Sequence, residues 1–110
     1  MAKTALLGEF EVVVLMAVLH VGDDAFGSAI RDDIEARSGR AVSRGAVYIT
    51  LDRLEEKGLL ASTLTEGTSA RGMRPRRYFR LTPDGVSTLK SSLGLVARMH
   101  KGLEAVLGRL

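Results

Sequence analysis

Arginines are the residues of this 110-residue chain whose type and spacing point most clearly to chemistry. Arg71, Arg74, Arg76 and Arg77 crowd one short segment, and Arg44 and Arg53 lie in a second, Ser43–Gly58, which reads SRGAVYITLDRLEEKG. A guanidinium stays charged and donates two parallel hydrogen bonds, which suits phosphate oxygens and a narrow minor groove. Nothing comparable supports catalysis. The chain has no cysteine and no Gly-rich phosphate loop, and its two histidines, His20 and His100, fall in separate predicted helices with no nucleophile spaced to either. Asp32, Asp33 and Glu35 cluster, but nothing near them sets one carboxyl against another as acid and base, so they read as a solvated helix face. No enzyme activity, metal site or cofactor is expected.

The net charge of +3 is modest, but its distribution is informative. Residues 1–42 hold four bases and seven acids, whereas residues 43–82 hold eight bases and four acids. The remainder holds four bases and two acids. The basic excess therefore lies in the segment that carries both arginine groups, where a nucleic-acid surface belongs. Readers of single-stranded RNA present stacking aromatics, and two Tyr and three Phe make a thin supply. Double-stranded DNA is the expected partner.

The elements that must hold these arginines follow from hydrophobic period. A chain of this length makes one domain. In Ser43–Gly58, Val47, Leu51 and Leu54 recur on one helical face, Ser43 suits the N-cap and Gly58 the stop. Stepping about 100° per residue turns Gly45, Ile49, Asp52, Arg53 and Glu56 away from the core and puts Arg44 and Tyr48 on one flank. Asp52, Glu55 and Glu56 crowd its second half, so only the front of the helix is suited to meet DNA. Ahead of it, Glu9–Val21 reads as a buried helix, apolar almost all round. A second helix, Ala25–Ser38, starts behind Asp24 as cap, carries Phe26, Ile30 and Ile34, and closes at Gly39. Arg40–Val42 is a short link with room for one sheet rung.

After Gly58 the period changes to two. Leu60, Ser62 and Leu64 share one strand face, GTSARGMRP over Gly67–Pro75 is loop-like, and Arg77, Phe79 and Leu81 alternate with Arg76, Tyr78 and Arg80. Residues 1–82 are thus expected to form a winged helix-turn-helix, mostly α with a small β-hairpin. Arg71, Arg74, Arg76 and Arg77 are expected at the tip and far side of this wing, gripping flanking phosphates.

Thr82-Pro83 opens a last helix, residues 83–110, threonine as cap and proline in the first turn. Val86, Leu89, Leu93, Val96, His100, Leu103, Leu107 and Leu110 step along it as a heptad seam in which only His100 is polar. Such a helix would run about 42 Å at 1.5 Å per residue and cannot bury its stripe in its own chain. A second copy is expected to cover it, with Leu89, Leu93, Val96, His100, Leu103 and Leu107 at the dimer interface. Charge on His100 would be costly there, so acid is expected to loosen the seam. Gly94, Gly102 and Gly108 each weaken the helix by about 1 kcal/mol relative to alanine, so packing must hold it. The longest apolar run, Val12–Leu19, falls far short of the roughly 20 residues of a membrane helix. It also lacks a basic leader and a cleavage site, so neither a membrane nor a signal peptide is expected. With no cysteine, a reducing cytoplasm is compatible.

The run GAVYITLDRLEEKGLL, followed by a basic wing and RRYFRLTPDG, resembles the PadR-like family of transcriptional regulators. LGEFEVVVL and FGSAIRDDIE are similar to one branch of it, so the likeness spans roughly Leu7 to Leu89, and the tail fits the short subtype with a single terminal helix. The resemblance implies a winged-helix homodimer on operator DNA, usually a repressor, whose terminal helix meets the partner's amino-terminal helix. It implies that Ser43, Arg44, Gly45 and Tyr48 begin the recognition helix, the tyrosine meeting backbone phosphate. Some relatives bind phenolic acids or drugs in an aromatic-lined dimer cavity; this chain has no tryptophan, and a small-molecule effector stays open. Two-fold symmetry then places half-sites about one helical turn apart. Arg44 is expected on a base or phosphate, Arg53 on phosphate, and Ile49 on a thymine methyl. The alternative is a winged-helix module that docks on protein through Asp52, Glu55 and Glu56.

Overall fold

The computed structural model describes residues 7–65 and 75–110. Valine-rich sequence favours strands, yet Glu9–Val21 is a helix, α1, because tertiary burial outweighs propensity: Val14, Leu15, Ala17 and Val18 are all buried. A short 3-10 turn, Gly22–Asp24, leads to α2, Gly27–Ser38, which ends on Gly39 in the left-handed region at φ 70°. The next helix, α3, spans Arg44–Glu56, with the Ser43 hydroxyl accepting from the Ala46 N–H at 3.0 Å. Its inner row, Val47, Leu51 and Leu54, has no solvent exposure.

Two details differ from expectation for one reason. Helix α2 begins at Gly27 rather than Ala25, and Asp24 does not cap it. Ala25 and Phe26 are instead drawn out beside the hairpin, where Phe26 bridges Tyr78 and the Ala25 carbonyl accepts from the Phe79 N–H at 2.9 Å. The sheet rung therefore forms here and not at Arg40–Val42. The backbone of Val42 is already engaged by side chains, its N–H donating to Glu35 Oε2 at 2.8 Å and its carbonyl accepting from Arg31 Nε at 2.7 Å. Of the acidic cluster, Glu35 is thus structural and Asp33 pairs with Arg37 at 3.1 Å, while Asp32 faces solvent.

Strands β1, Leu60–Leu64, and β2, Arg77–Leu81, pair antiparallel with Leu60 opposite Leu81 and Leu64 opposite Arg77. Phe79 is buried beneath the pair. Thr82 then ties the hairpin to the turn after α3: its hydroxyl donates to the Gly58 carbonyl at 2.6 Å and accepts from the Gly85 N–H at 3.0 Å. The second of these caps α4, Pro83–His100.

The single terminal helix expected over 83–110 is two. The chain breaks after His100, Gly102 takes φ 88°, and a short α5 follows, Glu104–Arg109. Residues 101–110 are all exposed, so the packing that had to offset the low propensity of Gly102 is missing within the protomer. Leu89, expected at a dimer seam, lies in the protomer's own core at 4% exposure. His100 sits exposed at the break with Glu104 3.8 Å from Nδ1, so the ring lies beside a carboxylate rather than among apolar side chains.

One ion pair clamps the body. Glu11, 8% exposed, accepts from Lys57 Nζ at 2.7 Å and from the Gly8 N–H at 2.9 Å, joining the start of α1 to the end of α3. Burial pushes its carboxyl up, but Lys57, the Gly8 N–H and the charge of Arg53 outweigh that and hold it below the usual carboxylate range. A carboxyl lowered by folding stabilises above its unfolded pKa and loses that contribution as pH falls through the folded value. Urea titrations from neutral to acid pH should show wild type losing more stability than Glu11→Gln, which is weaker at neutrality; parallel profiles would contradict the clamp. At Gly85 an added methyl would run into the Leu59 carbonyl, a backbone atom with nowhere to go. Gly85→Ala should therefore cost about 1–3 kcal/mol, as overpacking does, in the same measurement.

Candidate nucleic-acid interface

Because Val47, Leu51 and Leu54 are locked inward, the rotation of α3 is fixed and its other residues follow. Arg44, Gly45, Ile49 and Arg53 are exposed, Ile49 at 60%, and Tyr48 is half-buried. Tyr48 leans over the start of α2, where the absence of a side chain at Gly27 makes room for the ring. In the wing, Arg76 is fixed by its backbone: its carbonyl accepts from the Thr65 N–H at 2.9 Å, and its N–H donates to the Thr65 hydroxyl at 3.3 Å. Its guanidinium lies 4.3 Å from the centroid of Phe26, which meets Tyr78 edge-on at 5.7 Å. Stacking holds the cation in place while leaving its N–H groups outward.

These residues converge. Arg44, Tyr48, Arg76 and Arg77 line one open recess of about 520 Å³, and Gly27 and Ser28 of α2 form another part of its wall. Helix and wing thus present cations and a phenol hydroxyl on one side of the molecule, a geometry suited to phosphate oxygens. Among the described residues no carboxylate pairs with Arg44 or Arg76. Gly27 and Phe26 are the contributors that sequence reasoning missed. Their signal was FG directly ahead of a helix, with the aromatic taken for core.

The other expected arginines fare differently. Arg53 lies on the opposite flank of α3 from Arg44, near enough to Glu11 for its charge to act there. Arg71 and Arg74 lie outside the described residues. Arg77 borders the recess, but its guanidinium is engaged on α3 rather than turned outward at the far side of the wing. Its Nη1 donates to Asp52 Oδ1 at 3.0 Å and its Nη2 to Glu55 Oε1 at 2.5 Å, while the guanidinium sits 4.9 Å from the Phe79 centroid. Burial opposes its charge, but the two carboxylates outweigh burial and raise its pKa above the ordinary arginine value.

A second surface is apolar. Leu93 and Val96 of α4, 40% and 64% exposed, face Val12, Val13 and Met16 of α1 across a recess of about 480 Å³. Leu103, Val106 and Leu107 add exposed apolar area beyond the break.

A helix-turn-helix followed by a hairpin that shares its exposed cationic side is a winged helix. The chain belongs to the PadR-like family of transcriptional regulators, whose family model matches residues 15–91. Solved structures agree. A PadR family transcriptional regulator from Eggerthella lenta superposes with a TM-score of 0.69 at 27% identity, covering 90% of this chain and 86% of that one. A transcriptional regulator from Clostridium thermocellum gives 0.70 at 23% identity, covering 86% and 89%. A PadR family regulator from Clostridium difficile gives 0.67 at 24%, covering 89% and 98%. No curated protein matches the chain. Among the described residues no helix is long and apolar enough to cross a membrane, and no cluster of His, Cys, Asp and Glu could hold a metal.

The Gly27–Tyr48 contact can be tested without any ligand. A methyl at 27 overlaps the Tyr48 ring, so Gly27→Ala should lower stability by about 1–3 kcal/mol. In a Tyr48→Ala background the same change should cost much less. Equal losses in the two backgrounds would show that the ring does not occupy that space.

Proposed function

We propose that this chain is a homodimeric, sequence-specific DNA-binding repressor that acts on an inverted-repeat operator. The observation that carries the reading is the recess shared by Arg44, Tyr48 and Arg76. With α3 entering a major groove by its front end, Arg44 reaches a base edge or phosphate, and Ser43, Gly45 and Ile49 lie at the contact, Ile49 on a thymine methyl. Tyr48 and Arg76 hold backbone phosphate, joined by Arg71 and Arg74 of the wing, and Arg53 takes a phosphate on the other flank. Residues 1–82 form the reading unit and 83–110 the dimerisation segment. Leu93, Val96, Leu103 and Leu107 are large apolar side chains left exposed in the protomer, as a dimer surface requires. His100, beside Glu104 at the break, is taken to border this surface rather than to fill it. A second copy covers it, and the two α3 helices then fall one helical turn apart. Occupancy of the operator by the dimer excludes polymerase, which is the repressing step, and the cytoplasm is where that occurs.

The alternative of a protein-docking module rested on Asp52, Glu55 and Glu56, and two of these three carboxylates are taken up by Arg77. Mobility shift on a duplex selected from a random pool tests the main reading. Arg76→Ala should weaken all sequences alike and lower the slope of log affinity against log salt by about one. Retained affinity with unchanged slope, or altered base preference, would contradict it. Val96→Glu should yield monomers in sedimentation and abolish the shift; a dimer that persists would place the interface elsewhere.

A further inference from the structure

The second half of α3 carries Asp52, Glu55 and Glu56, behind the proposed groove contact at its front. Duplex DNA carries one phosphate charge about every 1.7 Å of axis, so bare carboxylates there would repel the backbone that Arg44 and Arg76 attract. The fold answers two of the three. Arg77 reaches both Asp52 and Glu55 from β2, and the other Glu55 oxygen accepts from the Ser62 hydroxyl of β1 at 2.7 Å. Asp52 has a side chain still 59% exposed, so its screening depends on Arg77 rather than on burial. Both strands of the wing are thereby tied to the flank of α3 that also bears Tyr48.

We propose that Arg77 is a positioning residue for DNA binding: it screens Asp52 and Glu55 from the phosphate backbone and makes no phosphate contact itself. This rests on the proposed function. Asp52, Glu55 and Arg77 together carry −1, and the two acids alone −2, so losing the arginine harms binding only while the carboxylates are present. A direct contact behaves otherwise, since its loss takes one released counterion with it whatever its neighbours.

The test compares wild type, Arg77→Met and the triple variant Arg77→Met/Asp52→Asn/Glu55→Gln. Each binds a duplex that wild type has selected from a random pool, over a range of salt. Methionine keeps the packing on Phe79, and glutamine keeps an acceptor for Ser62. Arg77→Met should bind about 10-fold more weakly, and the triple variant should recover to within about 3-fold of wild type with its salt slope intact. A triple variant as weak as Arg77→Met, its slope lowered by about one, overturns the proposal and makes Arg77 a phosphate contact. If Arg77→Met fails to fold in a thermal melt, the triple variant against wild type decides alone, on the same criteria of affinity and slope. Wild type that binds no duplex overturns the proposed function, and this inference with it. A binding wild type beside an unrescued triple variant overturns this inference only.

Discussion

The structure depends on one row of side chains, Val47, Leu51 and Leu54, sealed against α1 and α2. A helix pinned by a fully buried row cannot roll without exposing apolar surface, at about 25 cal/mol for each Å². That constraint decides which residues of α3 meet solvent. It turns Ile49 and Gly45 outward, sets Tyr48 against the backbone of Gly27, and brings Asp52 and Glu55 to the wing. The wing adds a second constraint through Phe79, which buries its ring and donates its N–H to Ala25. Helix front and hairpin are thus placed by two burials, and the cations on their rims inherit that placement.

Much of this was legible because the relevant signals are periodic. The limits of α1 and α3, the cap at Ser43, the stop at Gly58 and the Thr82-Pro83 start follow from residues acting on their own backbone, and the structure has them. What period could not supply is pairing between segments. Ala25 and Phe26 leave a helical pattern because β2 offers them hydrogen bonds, and β2 lies some fifty residues away in sequence. The continuous last helix failed for the opposite reason. Its heptad pattern is real, but within one protomer nothing packs on it beyond His100, and Gly102 then takes the turn that its missing side chain allows.

At Arg77 two signals in the sequence compete. Its position has the parity of Phe79 and Leu81, so the alternation itself assigned it to the inward face. Grouping it by charge with Arg76 obscured that. Both arginines border the recess, yet one stacks on Phe26 while the other meets two acids of α3. Charge counted along a chain overstates the unpaired cation at a surface by the number of such ion pairs.

The chain has no cysteine, so a single introduced thiol can carry a DNA-cleaving chelate without background labelling. Ile49→Cys would place the cleaving group on the exposed side of α3, and Pro75→Cys would place it at the wing edge of the recess. If helix and hairpin address one duplex together, the two probes cut a few base pairs apart within a half-site, and both patterns repeat about a two-fold centre. Cleavage from one position alone, or from neither while the protein remains folded, would mean that the two surfaces do not share a ligand.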